Sequence, residues 1–366
     1  MIQTQRIVVI YDSITNSVFI SQVLNPLLAW LNGDKKRTAT VISFEAIDIT
    51  NHPTRARIAQ EKRITLIIRK RIPFFGRLSL VYAAAVVRRI AKKKPTERII
   101  ARGPFAGYAC LQARLQTPLL IQIRGLAAHE YAYTHEKQLT KERGIMNLIR
   151  RCHYRAKLHV LKRLETELYA GKNSSQLTFE AVSPALREYL LATYPTLHPQ
   201  AITLAYEDIP QPVPLQKRKQ WRLQTRAELA IPVDAQLYCY NGSAKPWQCP
   251  DSFFAFCRTE IALNGNAHLL ILSHDYEEFA RLMPQTQIPP ERYHIVSVPH
   301  DKIYQYLAAA DTGILFRDAT LLNWVSRPTK VLEYQAVGLT ILHNATIAWL
   351  AESARNQKVY MAPPER

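Results

Sequence analysis

The chain of 366 residues is poor in cysteine, and what it has is scattered. Cys110, Cys152, Cys239, Cys249 and Cys257 form no C-x-x-C pair and stand at no finger spacing from a histidine. That excludes a disulfide framework and a zinc finger, and points to reduced, mostly buried thiols in a cytoplasmic protein. No apolar run approaches the ~20 residues that a membrane-spanning helix needs. Met1 leads within a few residues into the strand-like RIVVIYD, so no secretory leader is expected. No G-x-G-x-x-G follows a strand, and neither G-x-x-x-x-G-K-[ST] nor G-x-S-x-G occurs, which removes the common dinucleotide, P-loop and serine-hydrolase readings. HDYEE, residues 274–278, has metal-ligand residue types, but neighbours at a helix start do not converge, so no metal is expected there. Acidic residues are short as well. Residues 1–200 hold 32 Lys and Arg against 13 Asp and Glu, whereas residues 201–366 hold 16 of each, so the whole net charge of +19 sits in the first half. Such an asymmetry calls for a polyanionic partner: an anionic membrane, a lipid phosphate or a nucleic acid.

What is present is a regular alternation. RIVVIYD, ATVISFEAI, ITLIIRK, ERIIARG, LLIQIRG and LTFEAVS are apolar strand candidates separated by helical segments, the pattern of a parallel sheet covered on both faces. The chain is longer than one core usually holds, so two domains are expected. EDIPQPVPLQ, with three prolines in ten residues, reads as a linker at 207–216. It separates a basic α/β domain, 1–206, from a second α/β domain, 217–366. Strand candidates in the second are QLYCYNGS, HLLILSHD and YHIVSVP.

Residues 310–344 carry the most information. Two short apolar strands, TGILF and LTILH, flank a polar loop and the helix TKVLEYQAV. Pro328 sits where its missing N–H costs nothing, Gly338 is a left-handed stop, and Ser326 and Thr329 are both able to cap the start. A helix N-terminus behind a strand is an anion site. Lys330 lies in the first turn, against the macrodipole, which suggests an anionic partner. Glu333, one turn on, suits sugar hydroxyls. The residues therefore read as phosphate at Ser326, Pro328 and Lys330 with a ribose at Glu333. The same residues also suit a plain βαβ turn with a surface lysine and glutamate.

SRPTKVLEYQAVGLTIL resembles the donor-site signature of retaining GT-B glycosyltransferases of the GT4 type, roughly P-x-K-x-x-E-Y-x-A-x-G-x-P-V-I. The resemblance implies two Rossmann-like domains with parallel sheets facing each other across a cleft. It makes Glu333 the ribose carboxylate and residues 326–330 the diphosphate turn. It is good over residues 237–344 and weaker before. Val325 replaces a second glutamate common in the family, and the usual proline after the glycine is missing, since Leu339 and Thr340 follow Gly338.

Ligands of open α/β sheets bind beyond the carboxyl ends of the strands. In YNGSAKPW, Gly242 permits close approach to a phosphate and Lys245 is the nearest cation. The family often has an arginine where Ser243 stands, leaving Lys245 and Lys330 to neutralise the diphosphate. From the first domain come YDSITNS, with Asp12 and Ser13 as acceptor-side candidates, and IRGLAAHE. There Arg124 is placed to hold an acceptor or donor phosphate, and His129 or Glu130 to orient the acceptor hydroxyl. An Arg124–Glu130 ion pair bracing a loop fits equally well.

The expected protein is thus a metal-independent transferase using a nucleoside-diphosphate sugar as co-substrate and no cofactor. Its acceptor would be a glycan or lipid-linked glycan of a capsule, O-antigen or lipopolysaccharide. It would work in the cytoplasm, resting on the anionic inner face of the cell membrane, and no nucleic-acid partner is expected. Two other readings stay open: a basic nucleic-acid-binding protein, and a noncatalytic GT-B partner subunit.

Overall fold

Strand β1 (Gln5–Ile10) runs through the middle of the first unit, with Ile7 and Val9 fully out of water. A strand covered on both faces can afford no polar alternation, which is why its sequence reads as an unbroken apolar run. The computed structural model describes residues 4–16, 18–72, 77–139, 145–170, 176–244, 248–353 and 357–360. They belong to two compact units, Met1–Asp208 and Ile209–Arg366.

In the first unit, β1 is followed by β2 (Thr38–Glu45), β3 (Ile64–Lys70), β4 (Arg98–Arg102), β5 (Leu119–Ile123), β6 (Leu177–Ala181) and β7 (Ile202–Leu204). They form one parallel sheet in the order β3-β2-β1-β4-β5-β6-β7. Val8 of β1 lies beside Val41 on one side and Ile100 on the other. The chain order reverses between β1 and β4, and their carboxyl ends are where this topology gathers ligands. The helices are α1 (Asn25–Asn32), α2 (Pro53–Ala59), α3 (Arg77–Ala91), α4 (Gly103–Gln112), α5 (Ala127–Leu139), α6 (Ile145–Tyr169) and α7 (Pro184–Thr193). The helix expected after β1 forms, with a wide π turn at Ile20–Leu24 that runs on through helical backbone at Leu24 and Asn25 into α1. Pro26, which has no N–H to give a helix interior, stands just after that wider turn. Ser183 caps α7 as its pattern predicts, its hydroxyl accepting the Leu186 N–H at 3.0 Å.

The proline-rich stretch 207–216 is pinned at both ends. Asp208 is buried within the first unit, while Ile209 and Val213 pack on the core of the second, where the Val213 N–H reaches Ala336 O at 2.8 Å.

The second unit contains α8 (Leu215–Glu228), β8 (Gln236–Asn241), α9 (Pro250–Phe256), β9 (Ala267–Leu272), α10 (Tyr276–Leu282) and β10 (Tyr293–Val296). Then come α11 (Ile303–Leu307), β11 (Thr312–Leu315), α12 (Leu321–Trp324), α13 (Thr329–Val337), β12 (Thr340–His343), α14 (Ala348–Ser353) and β13 (Gln357–Val359). Its parallel sheet has the order β10-β9-β8-β11-β12-β13. Helix α13 buries Val331, Leu332, Tyr334 and Val337 and stops at Gly338, whose φ of 75° is the left-handed stop its sequence announces. It lies close to the sheet because Gly313 has no side chain: a Cβ there would stand 2.6 Å from the Tyr334 ring. The Tyr334 hydroxyl then accepts the Asn241 N–H at 3.1 Å and donates to Ile314 O at 3.2 Å, tying α13 to β8 and β11.

Candidate active site

That tie decides what meets at the carboxyl end of the second sheet. β8 delivers Asn241 and Gly242 to the start of α13. Asn241 donates its side-chain amide to Glu333 at 2.8 Å. The Lys330 ammonium occupies the space that a side chain on Gly242 would need, since a Cβ there would lie 1.9 Å from Nζ. It donates to Gln248 Oε1 at 2.7 Å and lies 5.3 Å from the centre of the Tyr240 ring. Gly242 therefore does more than permit a backbone approach: it makes room for a cation.

Loss of water lowers the proton affinity of Lys330 well below the usual lysine range, and the Arg317 guanidinium lowers it further. Burial pushes the Glu333 carboxyl up to about 7, opposed by Lys330 and by the Asn241 hydrogen bond. Each group resists its charge alone and is partly supported by the other, a pair suited to an incoming ligand that carries both phosphate and hydroxyls.

Ser326 does not cap the helix. Its hydroxyl donates back to Asn323 O at 2.8 Å, and the capping position belongs to Pro328, with φ −63° and ψ 134° and no side-chain bond. The cap residue therefore offers the start of α13 only its carbonyl, which accepts the Val331 N–H at 3.0 Å. Ser243 contributes a carbonyl, which accepts the Tyr240 hydroxyl at 2.9 Å. Lys245 lies outside the described residues.

Sequence reasoning missed Asn241, Gln248 and Arg317. Arg317 follows β11, is 7% exposed, and its Nη1 donates to Phe316 O at 3.0 Å. Asn344 clamps its backbone, accepting the Arg317 N–H at 3.1 Å and donating to Arg317 O at 2.7 Å. The available signal was position, because all of these residues follow a strand's carboxyl end.

In the first unit Arg124 pairs with Asp208 at 2.8 Å and Glu180 at 3.2 Å. The Arg124–Glu130 pair does not form. Glu130 instead lies over Gly125, where a Cβ would stand 2.0 Å from its Oε1. Two acceptors far along the chain outcompete the local one because they sit on the sheet edge beside Arg124. Arg102, at the end of β4, is buried with Gln22 as partner; burial and then the nearby Arg124 push its proton affinity down to about 10. Asp12 is exposed, with Arg102 and Arg71 as its nearest cations. The Ser13 hydroxyl is spent on Glu45, which also accepts the Ile14 N–H at 3.0 Å. His129 meets the Tyr189 ring edge-on, 6.0 Å between centres. Burial, then Lys162, holds its imidazole below the ordinary value.

Glu165 is 4% exposed and accepts the Ala128 N–H at 3.3 Å. Burial raises its carboxyl to about 7. A carboxyl raised on folding stabilises fully below its unfolded value and loses that contribution as pH rises through its folded value. Glu165→Gln is therefore expected to flatten the decline in thermal stability between pH 4.5 and 7, by something on the order of 3 kcal/mol at most. Unfolding scans across that range, on wild type and variant, check this; identical slopes would refute it.

No protein-family model and no curated protein matches the chain. Solved structures do. A glycosyltransferase from Rickettsia africae superposes with a TM-score of 0.66 at 12% identity, over 99% of this chain and 85% of that one. WaaG, a glycosyltransferase involved in lipopolysaccharide biosynthesis, gives 0.63 at 14%, over 99% and 87%. HepE from Anabaena, solved in complex with UDP, gives 0.64 at 13%, over 98% and 86%. These neighbours are GT-B glycosyltransferases with two parallel Rossmann-like domains. The fold is GT-B. At such identities the likeness extends to the fold alone, so for this GT-B chain the chemistry has to be argued from its own side chains. Lys330 and Glu333, whose ionisation burial disturbs beside the end of β8, are the charged pair to argue from.

Proposed function

We propose that the protein is a glycosyltransferase that moves a sugar from a nucleoside-diphosphate sugar to a hydroxyl of a glycan or lipid-linked acceptor in cell-surface polysaccharide biosynthesis, with retention of configuration. One observation carries the reading: Lys330 and Glu333, on successive turns of α13, meet Gly242 and Asn241 at the end of β8. In this reading Glu333 accepts the ribose hydroxyls. The α13 N-terminus and Gly242 receive the diphosphate, and Lys330, with Arg317 beside it, stabilises the charge that develops as the diphosphate departs. The chemistry is electrostatic and needs no metal. HepE was solved with UDP, with UDP and glucose, and with UDP-glucose, which supports a nucleotide sugar as the ligand class.

A thermal-shift screen against UDP, GDP, dTDP and ADP tests the proposal directly. A true ligand at ~100 times its dissociation constant adds ~2.7 kcal/mol of stability; no shift with any of the four would end the reading. Glu333→Ala is expected to weaken the responding nucleotide by about 1.5–3 kcal/mol, the worth of a charge-assisted contact, with the fold intact. Calorimetry returning the wild-type affinity would remove Glu333 from the ribose.

The acceptor side is proposed to rest on an anionic membrane. Among the described residues no helix is long and apolar enough to cross one. Arg150, Arg151 and Arg155 stand exposed on α6. Each basic residue near an anionic surface contributes ~1 kcal/mol, so a handful suffices. Co-sedimentation should favour anionic over neutral vesicles and fade with salt. The +19 charge also favours a second reading, nucleic-acid binding. Duplex and single-strand controls in the same salt series decide between them, since binding to nucleic acid without vesicle preference would reverse the assignment. Nucleotide binding without transfer would instead identify a noncatalytic GT-B subunit.

A further inference from the structure

Where α5, α6 and α7 meet, the first unit holds a cavity of about 430 Å³ that the donor-side chemistry does not use. Its wall includes His129, Lys162, Glu165, Thr166, Tyr189 and Tyr194. Glu165 is almost wholly buried there, with one oxygen engaged by the Ala128 N–H. His129 Nδ1 is buried and has no hydrogen-bond partner among the described residues. Its ring is propped edge-on against Tyr189. The Thr166 hydroxyl donates to Lys162 O at 2.9 Å. Lys162 stands exposed at the rim, close enough for its charge to be felt at His129.

The wall thus offers a carboxylate acceptor, an ammonium donor, an imidazole nitrogen lacking a partner, and two aromatic rings. An apolar ligand would leave Glu165 and His129 further desolvated with nothing to bond. A phosphate would meet the Glu165 carboxylate in the wall. A neutral ring bearing several hydroxyls fits both constraints, because each hydroxyl donates and accepts and the ring's C–H face lies well on tyrosine. The volume falls within the roughly 300–1,000 Å³ of small-molecule pockets.

We propose that this cavity is a carbohydrate site of the first unit, binding a neutral saccharide ring between Glu165, Lys162 and the Tyr189–Tyr194 wall. If the acceptor is a glycan, the site would hold one of its rings; that role rests on the transferase reading, whereas the binding does not. It also reassigns His129 from orienting an acceptor hydroxyl to lining this pocket.

The test is saturation-transfer NMR on the full chain with D-glucose, N-acetyl-D-glucosamine and maltose. UDP is present in excess to occupy the donor side, and inorganic phosphate serves as a competitor. At least one saccharide should give a saturable signal that phosphate does not displace. Lys162→Met should weaken it about tenfold, the effect of losing one charge-assisted hydrogen bond. Tyr189→Leu and Glu165→Gln should weaken it as well, all three leaving the UDP-induced thermal shift unchanged. Should Tyr189→Leu fail to fold by circular dichroism, the exposed Lys162→Met decides. No signal from the wild-type chain with any of the three sugars, an equal signal in the variants, or displacement by phosphate overturns the proposal. A chain that binds saccharide here yet shows no nucleotide shift keeps the site and loses the transferase reading.

Discussion

Replacing Lys330 by methionine is expected to lower sugar-transfer turnover by about 10²- to 10³-fold, the usual loss when one preorganised donor to a developing charge is removed. Methionine keeps much of the side chain's length and volume, so α13 should stay seated. What disappears is the ammonium that packs directly on Gly242 and bonds Gln248 at 2.7 Å. Its proton affinity is depressed by loss of water and by Arg317. On the proposed reading an arriving diphosphate would favour its charged form, and would interact with it most strongly as the leaving group gains charge. The loss should therefore appear in kcat more than in nucleoside affinity. Gly242→Ala should act in the same direction, because the new methyl takes the ammonium's place and drives a flexible side chain aside. Steady-state kinetics with the nucleotide sugar found by thermal shift measures both. If the wild type binds nucleoside mono- and diphosphate equally well, no cation is reading the second phosphate and the assignment goes.

The largest effect on stability is expected from Arg226→Met. Arg226 is 1% exposed, although its helix, LQKRKQWRLQTRAE, is rich in basic and polar residues. Its Nε donates to Ala309 O at 2.9 Å. Its Nη1 donates to Pro232 O at 2.8 Å, Val233 O at 2.9 Å and Ala235 O at 2.9 Å. Its Nη2 reaches Asp311 Oδ2 at 2.9 Å. One guanidinium thus closes the turn after α8 and joins it to the loop before β11. Methionine would fill much of the volume but leave the carbonyls and part of Asp311 unpaired in a desolvated place. Removing one partner of such a buried network typically costs ~3–5 kcal/mol. Arg222→Met should cost far less, because Arg222 is more open to water and shares Asp311 with Arg226. Urea unfolding of the two variants beside wild type gives the comparison. A loss below about 1 kcal/mol for Arg226→Met would mean that water replaces these bonds freely.

Much of the architecture was legible because it rests on local rules. The apolar run of β1, repeated in β2 and β9, requires burial on both faces, and alternation with helices then leaves little but parallel sheets. Pro328 and Gly338 set the ends of α13 through the missing N–H of one and the left-handed φ of the other. The same residues put a helix N-terminus behind a strand, which makes Lys330 and Glu333 candidates from the sequence alone. Their partners were not. Gln248 lies 82 residues from Lys330, and Asn241 lies 92 from Glu333. Arg124 chose Glu180 and Asp208, 56 and 84 residues away, over Glu130 nearby. Arg226 is a solvent-facing residue on any helical wheel until β11 and the turn after α8 close round it. The sequence by itself determined the strands, the helix ends, the two α/β units and the charged residues at the start of α13, since each follows from periodicity or from one residue's backbone chemistry. Only the tertiary structure decided which charges meet, which are buried, and that His129 lines a cavity beside Tyr189. Those outcomes depend on which distant strand ends the sheet order brings side by side, and on how much water is left between them.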